Sequence, residues 1–492
     1  MFQIALLAMA LFMSMAAMAQ SKIYYVSPTG NGDGSSWANT MSLENALTTA
    51  KAGDQIWVQG SESGTIYTAP ADGFTLKSGV RLYGGFAGTE ASVDDRETLG
   101  KPYQLRYRTV LSGDIGMNDA VDNTNLIFPD NTTRTNNATH VLSIDMTPTS
   151  SSGNNNTYPT VVNGFSIGGG QADGTDEKGG GIYISGNNAG GGIFRIERCF
   201  FVNNYATQGG AIYVDAEVQN VNNGESLINQ CAIYNNAAGE RGAVVNAGGG
   251  IYLAGAATVV NSTIFNNENG GLRLSKGSKV INSTVARNSG AGIDMIAAAT
   301  GFSVFNSIVW GNTLLSAQYQ PQFKYSAYHE VTVTNTDAGT DNNHNVYVTK
   351  ENRGDKDAPM FDAPSVKTSF DRDFDWGQTA YPLWSWNVLE GSVMHDQGND
   401  GAYQTTTYGD QDMGGNPRVD GTIDIGAYEF QKIPTGRIRY VKKGGTGDGS
   451  SWDNASGDLQ RMIDELADNN PQNLAGEVWV AAGTYAPQSQ LI

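Results

Sequence analysis

The sequence predicts an all-β fold, a right-handed parallel β-helix, and three observations lead to this prediction. A phrase of alternating apolar residues that ends in asparagine is written five times between residues 196 and 312. A second phrase, which begins with glycine, lies between the copies of the first. Both phrases have a period of two and are rich in Val, Ile, Phe and Tyr, and nothing between them has helical periodicity. Fixed phrases with elastic spacers are typical of a solenoid, and crossovers between parallel strands are almost always right-handed.

Residues 1–19 are apolar and end in a small-x-small pattern before Gln20, which predicts a secretory signal peptide. A buried first helix is the alternative. No later stretch is long and apolar enough to span a bilayer. We therefore expect a secreted or cell-surface protein, most consistent with a Gram-negative envelope.

Residues 20–112 are predicted to form an N-terminal cap and the first coils. The order is strand, turn, a helix over about residues 42–50, and a second strand. The end of a solenoid exposes unpaired backbone and needs a cover. The short helix is therefore expected to plug the open end.

Residues 113–313 are predicted to be regular coils, and the first phrase predicts a structural ladder along them. Its five copies end in Asn204, Asn236, Asn267, Asn288 and Asn312. Stacked at roughly 4.8 Å per coil, these amides are expected to hydrogen-bond up the axis. Leucine-rich repeats share this spacing, but here the middle inward position is Cys or Ser and Leu is sparse.

The second phrase predicts a column of tyrosines on the outer surface. Tyr183, Tyr213 and Tyr252 each follow an inward Ile, so their side chains are expected to point outward and to stack from coil to coil. An exposed aromatic ladder suits a glycan or protein ligand. The alternative is that stacked tyrosines only stabilise a parallel sheet.

The phrases fade over residues 314–431, which we assign to irregular C-terminal coils and a closing segment. Residues 432–438 are expected to be a linker, and residues 439–492 the truncated start of a second β-helix unit. This last assignment depends on the stretch 32–37, Gly-Asp-Gly-Ser-Ser-Trp, which returns at 447–452. Tandem β-helix units in a longer chain are therefore expected.

Three known groups of proteins resemble parts of this chain. Phe201-x-x-Asn204 followed by Gly209-Gly210-Ala211-Ile212 resembles the FxxN and GGAI repeats of polymorphic outer-membrane autotransporter proteins. Residues 22–431 are similar in organisation to bacterial right-handed β-helix proteins of the pectate-lyase-like superfamily. The stretch 423–430 resembles the ending of β-helix surface proteins described as choice-of-anchor domains. These resemblances imply the fold and a surface location, and say almost nothing about chemistry.

The amino-acid composition disfavours some classes of binding partner. The net charge of −19 weighs against nucleic acid and anionic membrane surfaces, and mildly against polyuronate substrates. Cys199 and Cys231 occupy equivalent inward positions on successive coils, where either a disulfide or two buried free thiols is compatible with the spacing.

Catalytic residues are unknown from the sequence, and one loop cluster is the best candidate if the protein is an enzyme. It consists of Asp173, Asp176, Glu177, Glu240 and Arg241. These loops are expected roughly 10 Å apart on one edge, within reach of inverting-glycosidase geometry. The alternative is that glycine-rich loops carry surface carboxylates for solubility. The Asp pair, Gly-His-Gly and Arg-x-Lys motifs of pectate lyases and polygalacturonases are not found.

No cofactor is expected apart from a structural Ca²⁺. Candidate ligands are Asp371, Asp373 and Asp375, with a second group at Asp114, Asn118, Asp119, Asp122 and Asn123. Solvated Asp/Asn turns are the alternative for both groups. The four histidines share no ligand spacing, so zinc is not indicated.

Two functional hypotheses follow. The first is a secreted or cell-surface β-helix protein that displays loops and the tyrosine ladder for adhesion or glycan binding, without catalysis. The alternative is a polysaccharide lyase or glycoside hydrolase. Tandem duplication favours the first, because repeated units multiply weak contacts.

Overall fold

The computed structural model describes most of the chain. The described residues are 21–119, 132–147, 158–174, 178–186, 192–218, 224–240, 247–275, 277–296, 303–312, 323–328, 344–348, 361–363, 385–388, 392–430, 438–468, 476–483 and 485. The predicted signal peptide lies outside them. The chain divides into two compact units, Met1–Phe430 and Gln431–Ile492. The first unit is a right-handed parallel β-helix, as the sequence predicts.

The first sheet of this unit has ten parallel strands that stack in chain order. They are β1 (Ile23–Val26), β2 (Gln55–Gln59), β5 (Arg81–Phe86), β8 (Thr160–Asn163), β12 (Phe194–Glu197), β16 (Leu227–Asn229), β20 (Thr258–Val260), β23 (Lys279–Ile281), β26 (Ser303–Phe305) and β28 (Phe323–Lys324). Each strand therefore pairs with the strand one coil away.

The second sheet also has ten strands in chain order. They are β3 (Thr65–Thr68), β6 (Thr109–Ser112), β9 (Phe165–Gly168), β13 (Phe200–Val202), β17 (Ala232–Tyr234), β21 (Thr263–Phe265), β24 (Thr284–Ala286), β27 (Ile308–Trp310), β29 (Ala327–Tyr328) and β30 (Val346–Tyr347). The first phrase supplies a strand to each of these two sheets, and a sharp corner separates the two strands.

The second phrase forms the third sheet, which has seven strands. They are β4 (Phe74–Lys77), β7 (Leu142–Asp145), β11 (Ile182–Ser185), β15 (Ile212–Val214), β19 (Ile251–Leu253), β22 (Leu272–Leu274) and β25 (Ile293–Met295). A small fourth sheet comprises β10 (Gln171–Ala172), β14 (Tyr205–Ala206) and β18 (Ala237–Ala238). The glycines are needed where this phrase begins, since a Cβ at Gly210 would lie 2.3 Å from the carbonyl oxygen of Ala237.

The core is made of inward side chains that stack in register. Ile196 pairs with Ile228, and the row continues through Val259, Val280 and Val304. All five are fully buried. Full burial of such side chains contributes about 1.5–3 kcal/mol each, so the repeated pattern itself stabilises the solenoid.

Asparagines hold the corner after the second sheet. The side-chain Nδ2 of Asn204 donates to Oδ1 of Asn236 at 3.0 Å, and the same bond links Asn236 to Asn267 at 3.0 Å. The ladder continues to Asn288 and Asn312 at 2.9 Å per step. Each Nδ2 also donates to carbonyl groups of the corner, such as Phe201 O for Asn236. Buried backbone acceptors at this corner are thereby satisfied.

A different column of side chains lies at the corner between the first and second sheets. We call Arg198, Gln230, Asn261, Asn282 and Asn306 the corner column. All five have a left-handed backbone, with φ between 43° and 54°. Each residue of the corner column is followed by a Cys or Ser whose side chain points inward. Ser262, Ser283 and Ser307 each accept a backbone N–H from the preceding coil. Cys199 and Cys231 are buried free thiols at this position.

The helix α1 (Leu43–Thr49) caps the N-terminal end of the coils. Ser42 begins it by accepting the backbone N–H of Asn45, and its Leu43, Ala46 and Leu47 are buried. The helix contacts β1, β2 and β4. A loop after β5 includes a short 3₁₀ turn (Val93–Asp95), which later forms part of the site.

Residues 392–430 form a closing segment that runs along the outside of the coils. It contains a 3₁₀ turn (Asp400–Ala402) and the short helix α2 (Thr405–Tyr408). The corner column holds it: Gln230 donates to Asp412 O at 2.8 Å, and Asn282 donates to Asp424 O at 2.9 Å. An antiparallel pair, β31 (Phe361–Ala363) and β32 (Ser385–Val388), precedes it.

The second unit contains β33 (Ile438–Val441), α3 (Leu459–Asp468) and β34 (Glu477–Val480), with the two strands parallel. Its turn repeats the N-terminal one, because Asn454 donates to Asp448 at 2.6 Å as Asn39 does to Asp33 at 2.6 Å. Within the described ranges, no helix of either unit has the length and hydropathy needed to cross a bilayer.

Candidate functional site

A polar cleft on the outside of the first unit is the candidate site. Its floor has one side chain per coil at the same register of the first sheet, namely Tyr83, Asn163, Glu197 and Asn229. Three steps of roughly 4.8 Å make this row about 14 Å long. The row runs along the solenoid axis and so suits an extended ligand.

Two segments distant in sequence form the walls. The loop 93–96 stands on one side and residues 405–411 of the closing segment on the other, and they enclose about 420 Å³. This volume falls within the range of ligand pockets. The lining consists of Tyr83, Val93, Asp94, Arg96, Asn163, Arg195, Glu197, Arg198, Asn229, Gln230 and residues 405–411.

Arg96 fixes the first wall to the coils. It is buried and donates to Val93 O at 2.8 Å, Gly84 O at 2.8 Å and Asn163 Oδ1 at 3.0 Å. Its guanidinium carbon also lies 5.7 Å from the ring centroid of Tyr83. Burial, and then the nearby charge of Arg198, lower the pKa of Arg96 to about 10, so it stays cationic at neutral pH.

Glu197 is oriented by its neighbours on the floor. Asn163 Nδ2 donates to Oε2 at 3.1 Å, and Arg195 Nη1 lies 3.5 Å from Oε1. The Arg195 and Glu197 side chains remain 30% and 22% exposed, so both still face the cleft. This pair places a cation and an anion side by side on one strand.

Several polar groups of the cleft are not used by the protein. Arg198 bonds through Nε to Gln230 Oε1 at 3.2 Å, and its two Nη atoms have no partner among the described residues. The same part of the chain offers no hydrogen-bond or salt-bridge partner to the carboxylates of Asp94 and Asp410 or to the hydroxyl of Tyr83. Burial raises the pKa of Tyr83, so this hydroxyl remains a donor at neutral pH. The cleft therefore offers donors and acceptors together.

The second wall is fixed by Tyr408. Asn229 Nδ2 donates to Tyr408 O at 3.1 Å, and the Tyr408 hydroxyl donates to Glu225 Oε2 at 2.9 Å. Lys279 forms an ion pair with Glu225, and the Thr258 hydroxyl donates to Glu225 Oε2 at 3.1 Å. Burial alone would raise the pKa of Glu225, but the bonds from Lys279 and Tyr408 hold it below its ordinary value. The wall is thus linked to several successive coils.

The tyrosine column exists, but most of it is not exposed. The ring centroids of Tyr183 and Tyr213 are 6.0 Å apart, and those of Tyr213 and Tyr252 are 5.0 Å apart. Tyr213 is only 4% exposed and Tyr252 only 7%. Lys178 lies 5.0 Å above the ring of Tyr213. The expectation of an exposed ladder is wrong for these two residues, because neighbouring rings and cationic side chains cover their faces.

The five residues proposed for catalysis lie away from the cleft wherever they are described. Asp173 and Glu240 are exposed and follow β10 and β18 of the fourth sheet. Gln171 donates to Asp173 at 3.2 Å. Asp176, Glu177 and Arg241 lie outside the described residues. A catalytic role for this cluster stays a prediction.

Structural calcium also stays a prediction. Asp371, Asp373 and Asp375 lie outside the described residues, as do Asp122 and Asn123. Asp114 instead accepts the backbone N–H groups of Asn118 and Asp119. In the described part of the chain, one group of three side chains could present metal ligands: His395, Asp396 and Asp424. Both carboxylate oxygens of Asp424 already accept backbone N–H groups, from Asp396 and Phe430.

Sequence reasoning missed the cleft, although one signal was present. In the first copy of the phrase the two positions before the Cys are Glu197 and Arg198. The later copies carry Asn or an apolar residue at the first of these positions and Gln or Asn at the second. This charged pair lies in the part of the first sheet that forms the floor of the cleft. The walls come from residues more than 100 positions away on either side of the pair, which no repeat pattern indicates.

Comparisons with known proteins find a distant structural likeness. No protein-family model and no curated protein matches the chain. Among solved structures, the crystal structure of pectate lyase Pel9A is similar, with 14% sequence identity and a TM-score of 0.43. The match covers 85% of this chain and 98% of that one. A likeness this distant is not evidence of a shared activity.

Proposed function

We propose that this is an exported, surface-displayed or secreted β-helix protein that binds a glycan in the polar cleft, without catalysis. The observation that supports this proposal is the row of Tyr83, Asn163, Glu197 and Asn229 between two fixed walls. Adhesion through such binding fits the tandem units expected from the sequence, since repeated weak sites gain affinity by acting together.

A glycan fits the lining better than an apolar ligand. Pockets for apolar small molecules are lined mainly by hydrophobic and aromatic side chains. Here the lining is dominated by amide, guanidinium, carboxylate and hydroxyl groups. Sugar hydroxyls donate and accept at once, and the open groups of Arg198, Asp94 and Asp410 provide both kinds of partner.

A polysaccharide lyase or glycoside hydrolase is the second candidate, and one observation favours it. Asp94, Glu197 and Asp410 line the same cleft, and glycosidases commonly work with two carboxyl groups. Turnover would show as new reducing ends or unsaturated products. Loss of such turnover in Glu197→Gln would replace the binding-only proposal with an enzymatic one.

The direct test is Arg198→Asn in the whole protein, with binding measured on a glycan array and then by calorimetry. Asparagine occupies the equivalent position in three later coils with the same left-handed backbone, so the fold is expected to tolerate it. We expect affinity to fall at least about tenfold, as for loss of roughly 1.4 kcal/mol.

Arg287→Asn is the matched control. Arg287 also has a left-handed backbone, with φ of 54°, and asparagines occupy the equivalent corner position in earlier coils. It lies over Trp310 and outside the cleft. Equal losses in both variants, or no glycan binding by the parent protein, would contradict the proposed site.

A further inference from the structure

The floor of the cleft is part of a longer row of outward side chains on the first sheet. One residue per coil occupies the same register, and the strand pairing gives the order Tyr25, Trp57, Tyr83, Asn163, Glu197, Asn229, Val260 and Ile281. Of these residues, the stretch of the row from Tyr83 to Asn229 lines the cleft. The row continues beyond the cleft in both directions, so the side chains at its two ends limit the length of a ligand.

Aromatic rings fill the row on the N-terminal side of Tyr83. Trp57 is only 2% exposed, and the ring of Phe86 stacks on it with the centroids 4.8 Å apart and the planes at 10°. The ring of Trp37 lies against Phe86, with the centroids 5.5 Å apart. The guanidinium carbon of Arg96 lies 5.4 Å from the centroid of Phe86. The face of Trp57 is thus occupied, so a ligand that contacts Tyr83 cannot extend onto the preceding coil.

Apolar side chains under the closing segment end the row on the other side. The next two positions are Val260 and Ile281, which are 0% and 2% exposed. They belong to one apolar cluster with Tyr403 and Ile423 of the closing segment. The Tyr403 hydroxyl accepts from Asn261 Nδ2 at 2.7 Å, which fixes this cover to the coil that carries Val260. A ligand therefore cannot extend in this direction either.

We infer that the cleft binds the end of a glycan, about three sugar units long, and excludes the interior of a chain that runs along the solenoid axis. This inference rests on the proposed glycan-binding function and names the size class of its ligand. The three steps between Tyr83 and Asn229, each close to the length of one sugar unit, total about 14 Å. A longer straight chain would meet buried aromatic rings at one end of the row or buried apolar side chains at the other.

The experiment measures binding to the whole protein as a function of glycan length. The probes are linear gluco-, manno- and xylo-oligosaccharides of two to six units, with soluble polysaccharides of the same linkages. In calorimetry we expect affinity to rise up to about three units and to change less than about twofold beyond that. For a polysaccharide of constant mass, the amount of protein bound should rise in proportion to the number of chain ends after partial hydrolysis.

Affinity that keeps rising up to six units, or a binding capacity that hydrolysis leaves unchanged, overturns this inference and leaves the proposed function standing. Absence of binding to every probe and to the glycan array overturns the proposed function together with it.

Tyr83→Phe tests the end of the row directly. The substitution keeps the ring beside Arg96 and removes the open hydroxyl at the last step. We expect the gain in affinity from two to three units to shrink about threefold, as for loss of one hydrogen bond. Tyr25→Phe is the matched control, because Tyr25 has the same register two coils earlier and lies outside the cleft. An unchanged gain in Tyr83→Phe, or an equal reduction in Tyr25→Phe, overturns this inference.

Discussion

Asn267 shows how much of the solenoid depends on one inward amide. Its Nδ2 donates to Ile233 O at 3.0 Å, Phe265 O at 3.1 Å and Asn288 Oδ1 at 2.9 Å. Its Oδ1 accepts from the backbone N and the Nδ2 of Asn236, both at 3.0 Å. The side chain is fully buried, so water cannot replace these bonds without opening the corner.

Asn267→Ala is expected to lower the free energy of unfolding by about 3 kcal/mol or more, because several buried donors and acceptors lose their partner. Urea denaturation followed by circular dichroism measures the change. Asn136→Ala is the control, since Asn136 is exposed and bonds through its side chain to Asn118. Its effect should stay within about 0.5 kcal/mol. Equal effects of the two substitutions would contradict a ladder that carries stability.

Single residues also show where sequence reasoning stops. The repeat of Asn after two strands predicts which amides stack, since the period fixes which side chains share a column. Alternation likewise predicts that Tyr213 points outward. It does not predict what lies over an outward ring, and here Lys178 and the adjacent tyrosines cover it. Outward and exposed are therefore different properties in a stacked sheet.

Among the elements, the closing segment is the one that turns a plain solenoid face into a cleft. It is held by amides of the corner column, whose left-handed backbone turns the side chains toward it. Asn306 adds two bonds, to Asn399 O at 3.0 Å and from Asn399 N at 2.8 Å. The second wall of the cleft therefore depends on contacts made several coils away.

Asn282→Gly tests this dependence. Glycine keeps the left-handed backbone at this position but removes the side chain that donates to Asp424 O. We expect amide hydrogen exchange to accelerate in residues 392–430, with a loss of about 1–2 kcal/mol of local stability. Arg287→Gly, at the other corner, should leave exchange in those residues unchanged. Unchanged exchange in Asn282→Gly would contradict the role of the corner column.

At the scale of the whole molecule, the coils were predictable and the cleft was not, for the same physical reason. A solenoid is built from contacts between neighbouring coils, so the stacking of the coils is encoded locally by the sequence repeats. The cleft joins Arg96, Glu197 and Tyr408, which no period relates. Residues 392–430 pack on the coils through backbone carbonyls and through an apolar cluster that includes Phe265 and Tyr428. The positions that residues 392–430 contribute to these contacts follow no repeat.

The closing segment also makes the stability of the first unit depend on pH. Arg418 and Glu429 form an ion pair at 2.7 Å with side chains 0% and 1% exposed, and Asp412 and Asp424 are buried nearby. Within the described residues, Arg418 is the buried cation among these three carboxyl groups, and the partly exposed imidazole of His395 lies near Asp424. Burial raises the pKa of Glu429 to about 7 against the attraction of Arg418, and burial likewise raises the pKa of Asp412 and of Asp424.

Between about pH 4 and pH 7, the folded protein therefore holds protons that the unfolded chain has released. Stability falls with rising pH wherever the folded state binds more protons. We expect the melting temperature of the first unit to be higher at pH 5 than at pH 8, measured by calorimetry. In Glu429→Gln the decline should flatten, because the carboxyl group whose pKa is about 7 in the folded protein is no longer there to titrate. A melting temperature that rises from pH 5 to pH 8 would contradict this account of the buried cluster.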